Sequence, residues 1–208
     1  FRTASYQRHN ISLNVGTDDF TNRISFSSNV DNGVLLNTYN NSVGLRYNGT
    51  YKLNKWVSIS EDFVWKNSSS RGTNTSSAYS GVILSAIYMP RSATVYNPLT
   101  GSFGGTTTED PEYIAKYGSS YPDIHGDVIN PIAETNYNKT SDVWTTTALD
   151  ITNIVEGLKF TSRFTYNVEN NLYKNFTPRR KEVGKPSNTN TLSESTYRTD
   201  AWKTENTL

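Results

Sequence analysis

The chain has 208 residues, 34% hydrophobic and 19% charged, with a formal net charge of +1. That balance gives no bulk attraction to nucleic acid or to an anionic surface, and the absence of cysteine excludes disulfides and thiolate metal sites. No segment approaches the ~18 consecutive apolar residues of a transmembrane helix, a test that does not touch membrane strands, whose alternation leaves little mean hydropathy.

Residues 6–15 alternate, with Ile11, Leu13 and Val15 on one face, and Gly16-Thr17-Asp18-Asp19 carries turn chemistry: Gly for positive φ, Asp to cap local amides. Residues 20–30 alternate again through Ile24, Phe26 and Val30, and Asp31-Asn32-Gly33 breaks the pattern. The longest regular stretch is 40–66. Val43, Leu45 and Tyr47 oppose Ser42, Gly44, Arg46 and Asn48 along a first strand. After a turn at Leu53-Asn54-Lys55, Val57, Ile59, Phe63 and Trp65 oppose Ser58, Ser60, Asp62 and Lys66. Each run meets the ~9–11 residues that a tilted strand needs to cross a bilayer, well above the ~5–6 usual in soluble sheets.

Residues 67–80 are low-complexity and polar, a loop signature. A short helix is expected within 78–89, with Val82, Ile83, Ala86 and Ile87 on one side and Pro90 ending it. The stretch 91–141 is irregular, with Pro98, Pro111, Pro122 and Pro131 and scattered tyrosines, and an insertion of that length is functional or disordered. Residues 142–152 form a strand with Val143, Thr145, Leu149 and Ile151 on one face. Val155-Glu156-Gly157 turns the chain, and 158–168 alternate through Leu158, Phe160, Phe164, Tyr166 and Val168. A polar, basic loop covers about 170–197, and another strand begins before Leu208.

The expected organisation is therefore two barrel hairpins over 1–66, a long external loop over 67–141, a third hairpin over 142–169, a loop over 170–197 and the start of a further strand over 198–208. The fold class expected is all-β: about seven long antiparallel strands, an arc of a transmembrane barrel cut from something larger. Two regularities carry this. Connections at 16–19, 53–55 and 155–157 are short and those at 31–39, 67–141 and 170–197 longer, as in outer-membrane barrels. Charge follows parity as well: Arg8, Arg23, Arg46, Asp62, Lys66, Asp150, Lys159 and Arg163 all avoid the apolar face, with Glu61 the central exception. An antiparallel sheet with one solvated face shows the same parity.

Several stretches together resemble the SusC/RagA-like group of TonB-dependent transporters of Bacteroidetes outer membranes. They are Gln7-Arg8-His9-Asn10-Ile11-Ser12 with Gly16-Thr17-Asp18, Tyr51-Lys52-Leu53-Asn54-Lys55-Trp56, Asn130-Pro131-Ile132-Ala133, Gly157-Leu158-Lys159-Phe160, and Trp202 with Glu205-Asn206-Thr207-Leu208. The resemblance implies a ~22-stranded barrel plugged by an N-terminal domain, with outer-membrane lipid around it. It also implies a SusD-like surface lipoprotein as partner, energy from the TonB complex and an oligosaccharide or peptide as substrate. The signal sequence, TonB box and plug of that family are not in this sequence, so this chain would supply one arc of the wall and its loops, in the bacterial outer membrane.

Within the long loop, Tyr96, Tyr113, Tyr117 and Tyr121 could offer flat faces to sugar rings or peptide side chains, and Asp123 and Asp127 could hydrogen-bond hydroxyls. The alternative is that these tyrosines pack the loop onto itself or onto the lipoprotein. Arg23, Arg46 and Arg163 are expected to face the lumen, to draw an anionic substrate, pair with the plug, or pair across strands. Asp123 and Asp127 match no defined calcium loop, and the two histidines, His9 and His125, are too sparse for a metal cluster. Trp65, Trp144 and Trp202 are expected near the outer strand ends and Trp56 near an inner end, as interfacial belts. No nucleophile elbow, phosphate loop or zinc signature is present, so neither catalysis nor a cofactor is expected. The competing readings are a soluble all-β glycan-binding module and a surface adhesin. A module would bury the apolar faces against a second layer.

Overall fold

The structure, a computed structural model, describes residues 2–73, 75, 81–88, 135–179 and 189–208. Seven strands, β1 (Ser5–Gly16), β2 (Phe20–Asn32), β3 (Tyr39–Lys52), β4 (Val57–Arg71), β5 (Thr135–Thr152), β6 (Lys159–Thr177) and β7 (Thr191–Thr207), are joined by hairpin connections, and one short helix, α1 (Val82–Tyr88), lies between β4 and β5. The strands form one antiparallel sheet in the order β1-β2-β3-β4-β5-β6-β7, each paired to its neighbours in sequence. The fold is all-β, as the alternation predicts.

Register follows from the period-two pattern, because a slip of one residue would move every apolar side chain to the opposite face. Ile11, Phe26, Leu45, Trp65, Val143 and Val168 stand opposite one another across six strands. The adjacent row holds Leu13, Ile24, Tyr47, Phe63, Tyr166 and Trp202, with Thr145 between. Further rows run towards the short turns through Phe20, Tyr51, Ile59 and Leu149, then Val57, Ile151 and Phe160. On β4 this band spans Val57 to Trp65, about 27 Å along the strand and about 21 Å across a sheet tilted by about 40°.

No second layer covers the band among the described residues. Among the described residues the buried apolar side chains are Leu35, Val82 and Ala148, whereas Ile11 is 70% exposed, Leu13 61% and Phe164 49%. Leu45 and Ile151 are half-buried and Ile59 is exposed. A sandwich would bring these four together in a centre, and the sheet does not.

The turns differ from expectation in detail. At the β1–β2 turn Thr17 provides the cap, its Oγ1 accepting from the amides of Asp19 (3.3 Å) and Phe20 (3.4 Å), in place of an Asp side chain. Gly16 is the extended last residue of β1, and Gly157, with φ of 81°, is the described glycine with positive φ. At the β3–β4 turn Asn54 Oδ1 accepts from the amides of Trp56 (2.9 Å) and Val57 (3.0 Å). Asn54→Ala removes that acceptor from two amides and should cost about 1–2 kcal/mol, read as a lowered urea midpoint with an unchanged slope. An unchanged midpoint would mean that water serves those amides equally well.

The connection read over 31–39 is tighter than composition suggested. It spans 33–38, no longer than the 153–158 turn at the other end of the sheet. Gly33 N donates to Thr38 O, Asn37 takes φ of 61°, and Arg2 clamps the loop through Nε to Gly33 O and a second nitrogen to Thr38 O. The loop asymmetry therefore rests on 72–134 and 178–190. Strands also outrun their apolar pattern: β4 reaches Arg71, β5 starts at Thr135, β6 ends at Thr177 and β7 begins at Thr191. The tracts 67–71, 135–141, 170–177 and 191–197, read as loop, are paired strand. Asn, Ser and Thr on both faces erase the alternation but not the ladder. In α1 the buried side is Val82 and Ser85, three residues apart; of the side expected from Val82, Ile83, Ala86 and Ile87, Val82 is buried while Ile83 and Ile87 are exposed.

Candidate functional site: the polar face of the sheet

The side chains between the apolar positions form the opposite face. Arg23 pairs with Asn14 and Asn48 across strands, Arg46 with Ser25 and Val64, and Arg163 with Ala148 and Glu205. All three arginines are exposed on this face, as parity predicts. Arg23 and Arg163 line one concavity of about 650 Å³ together with Asn14, Asn48, Asp62 and Thr146. Arg46 and Lys66 line a neighbouring one of about 750 Å³ with Asn10, Asn29 and Ser42.

The charges here are mostly committed within the sheet. Asp62 takes one Arg46 nitrogen at 2.8 Å and Asn48 Nδ2 at 2.8 Å. Arg8 Nε donates to Asn29 Oδ1, whose amide donates to Ser42 Oγ, and Ser12 Oγ meets Ser25 Oγ at 3.0 Å. Lys159 pairs with Asp150 at 3.5 Å and Lys203 with Glu205 at 2.6 Å. Such exposed pairs contribute little stability, about 0–1 kcal/mol each, but they fix a hydrophilic lining. Among the described residues, Arg23 and Arg163 have no carboxylate within ion-pair distance. Arg23 Nε donates to Ser25 Oγ at 3.3 Å. The arrangement offers hydrogen-bond donors and acceptors over a broad shallow surface, with no nucleophile–base pair and, among the described residues, no cluster able to hold a metal. Three buried acceptors, Asp142 Oδ1, Asn167 Oδ1 and Asn175 Oδ1, have no donor partner, and all three belong to this face.

Trp144 departs from its expected place. It shares a row with Arg46 and Asn167, is 51% exposed, and donates Nε1–H to Thr146 Oγ1 at 3.1 Å. It belongs to the polar face, whereas Trp65 and Trp202 belong to the apolar one, because even and odd positions of one strand cannot share a side. Trp56 lies at the β3–β4 turn with Lys55 Nζ 4.3 Å over its ring. Tyr96, Tyr113, Tyr117, Tyr121, Asp123 and Asp127 lie outside the described residues.

Several polar side chains on the apolar face are tied down. Glu61 accepts from the hydroxyls of Thr145 and Thr147, its diagonal and direct partners on β5. Tyr47 Oη donates to Asn22 Oδ1 at 2.6 Å across Gly49, which has no side chain to obstruct it. At the β7 edge Asp200 accepts from Tyr166 Oη at 2.9 Å and from Arg198 through two nitrogens. The Arg198–Asp200 pair is a second charged exception to parity, missed because β7 shows no apolar run to set its phase. The Thr partners of Glu61 were legible only once the β4–β5 register was known.

No protein-family model matches the chain, and no curated protein matches it in sequence. Among solved structures, the RagAB peptide importer in its closed-closed state is similar, with a TM-score of 0.67 and 18% identity over 95% of this chain. The chain spans 21% of that protein's chain. At that identity the likeness establishes the sheet's architecture.

Proposed function

We propose that this chain is an arc of the wall of a transmembrane β-barrel in a nutrient importer of the outer membrane. The observation that carries the reading is the apolar band: four rows of greasy side chains across long strands, left uncovered. Water does not tolerate an apolar sheet face of that extent on a monomeric protein, and lipid requires it. Its estimated height is close to the ~25 Å apolar belt of outer-membrane barrels. The open edges at β1 and β7 fit a sheet that closes through further strands, since exposed edges invite uncontrolled pairing. On this reading the polar face looks into a hydrated lumen, and the wall itself does no catalysis.

The finer reading is a SusC/RagA-like importer that takes up peptides or oligosaccharides under a SusD-like lipoprotein and is driven by the TonB complex through a plug outside this chain. The similar solved structure is a peptide importer, which favours a peptide. Arg23 and Arg163, the lumen arginines without a carboxylate partner, are the side chains best placed to meet a substrate carboxylate. The loop residues Tyr96, Tyr113, Tyr117, Tyr121, Asp123 and Asp127 are the proposed contacts at the mouth.

Lipid-chain quenching tests the orientation. In variants keeping one of this chain's tryptophans at a time, brominated acyl chains should quench Trp65 and Trp202 and leave Trp144 bright. Equal quenching of the three would contradict the assignment of faces. Folding to a cooperative, monomeric state without detergent would favour the soluble module instead.

A further inference from the structure

We propose that a patch around Lys139 and Arg198, on the apolar face just beyond the band, holds the phosphate of a lipid headgroup in the leaflet on the long-loop side. The inference rests on the membrane reading above. Lys139, Leu172 and Thr196 form one cross-strand row, and Ser141, Asn170 and Arg198 the row below it. These residues line a concavity of about 570 Å³. Val143 and Val168 continue the face directly beneath, so a lipid's acyl chains and its headgroup would meet matching surfaces on one molecule.

The height fits. Lys139 lies four residues beyond Val143, about 10 Å above it after tilt. The headgroup layer occupies the next ~5–7 Å beyond the hydrocarbon, and a lysine stem reaches back along the surface to it. The charge fits too. Among the described residues Lys139 has no carboxylate partner, and its ammonium stands 5.0 Å from the Tyr137 ring. Arg198 spends two nitrogens on Asp200 and keeps the third for another acceptor. The hydroxyls of Ser141 and Thr196 and the amide of Asn170 add neutral donors. Phosphate takes several such donors at once, and a guanidinium is suited to it by geometry. At the opposite rim Asp18, Asp19 and Glu156 offset Lys52 and Lys55, and in the row above the patch Lys174 pairs with Glu194 at 3.7 Å.

The test uses the intact protein from its host membrane, placed in phosphatidylcholine nanodiscs that contain either phosphatidic acid or diacylglycerol. These lipids share their chains and differ by the phosphate monoester. Native mass spectrometry should show phosphatidic acid retained over diacylglycerol. A cation near the surface contributes about 1 kcal/mol to anionic lipid binding, so Lys139→Gln should lower that retention about fivefold and Lys139→Glu about 25-fold. Lys55→Glu at the other rim should leave it unchanged. Equal retention by wild type and Lys139→Glu would overturn the site. Displacement of phosphatidic acid by inorganic phosphate at matched concentration would also overturn it, by assigning the patch to a soluble anion. A protein that does not enter nanodiscs would overturn the membrane reading itself, whereas insertion without a phosphate preference overturns this proposal alone.

Discussion

Ile24→Arg should destabilise the folded protein in lipid vesicles by about 2–3 kcal/mol, the cost of a cation inside the apolar belt. The adjacent change Arg23→Leu should shift stability by about 1 kcal/mol or less. The two positions are neighbours in sequence and opposites in environment. Ile24 sits between Leu13 and Tyr47, one row in from the band's edge. Arg23 is exposed on the polar face and donates to Ser25 Oγ at 3.3 Å, a contact that solvent readily replaces. Urea titration of folding into vesicles compares the two midpoints. Similar losses at both positions would show that the faces do not differ in solvent, and the barrel reading would fall with that result.

Gly49→Val should be the second large effect. A Cβ at Gly49 would stand 2.7 Å from Tyr47 Cζ, 2.8 Å from Asn22 Oδ1 and closer still to Tyr47 Oη. The ring must swing away, and the Tyr47–Asn22 hydrogen bond breaks. Asn22 is then left as an unpaired amide on the apolar face, beside Glu61. Overpacking and an unsatisfied polar group each cost about 1–3 kcal/mol, so a total of about 2–4 kcal/mol is expected. The cause is separable. In a Tyr47→Ala background the clash with the ring is absent and only that with the Asn22 side chain remains, so Gly49→Val should cost less there, as a double-mutant cycle reads directly. An undiminished loss in that background would place the strain in the backbone of β3 instead.

The middle of each strand was legible in the sequence, and the strand ends were not. Between Val57 and Trp65 an apolar residue at nearly every second position states both the face and the register. From Asn67 to Arg71 the same strand carries Asn, Ser and Arg, which satisfy either face, and nothing in the pattern distinguishes ladder from loop. The three polar-face arginines, Arg23, Arg46 and Arg163, were legible because parity alone places them on that face. What they pair with was not, since Asp62 meets Arg46 through a register that no local signal gives. The Thr17 cap, the Arg2 clamp over 33–38 and the side of α1 that packs depend on local hydrogen bonds and neighbours, to which periodicity is blind. Trp144 was the instructive departure: a tryptophan in a membrane strand suggests an interfacial belt, yet its even position puts it with the polar residues.

The neighbour-only pairing of the sheet has a consequence for how the protein can vary. Every strand between the two edges is anchored to the one before it and the one after it, so residues 72–134 bridge two strands that β3, β4, β5 and β6 already hold in place. Loop-closure entropy rises only logarithmically, by about 0.6 kcal/mol for each doubling of length. Grafting a longer, shorter or foreign segment between Arg71 and Thr135 should therefore leave the scaffold's cohesion nearly intact. Such a scaffold can exchange what it displays at its mouth while its staves stay the same.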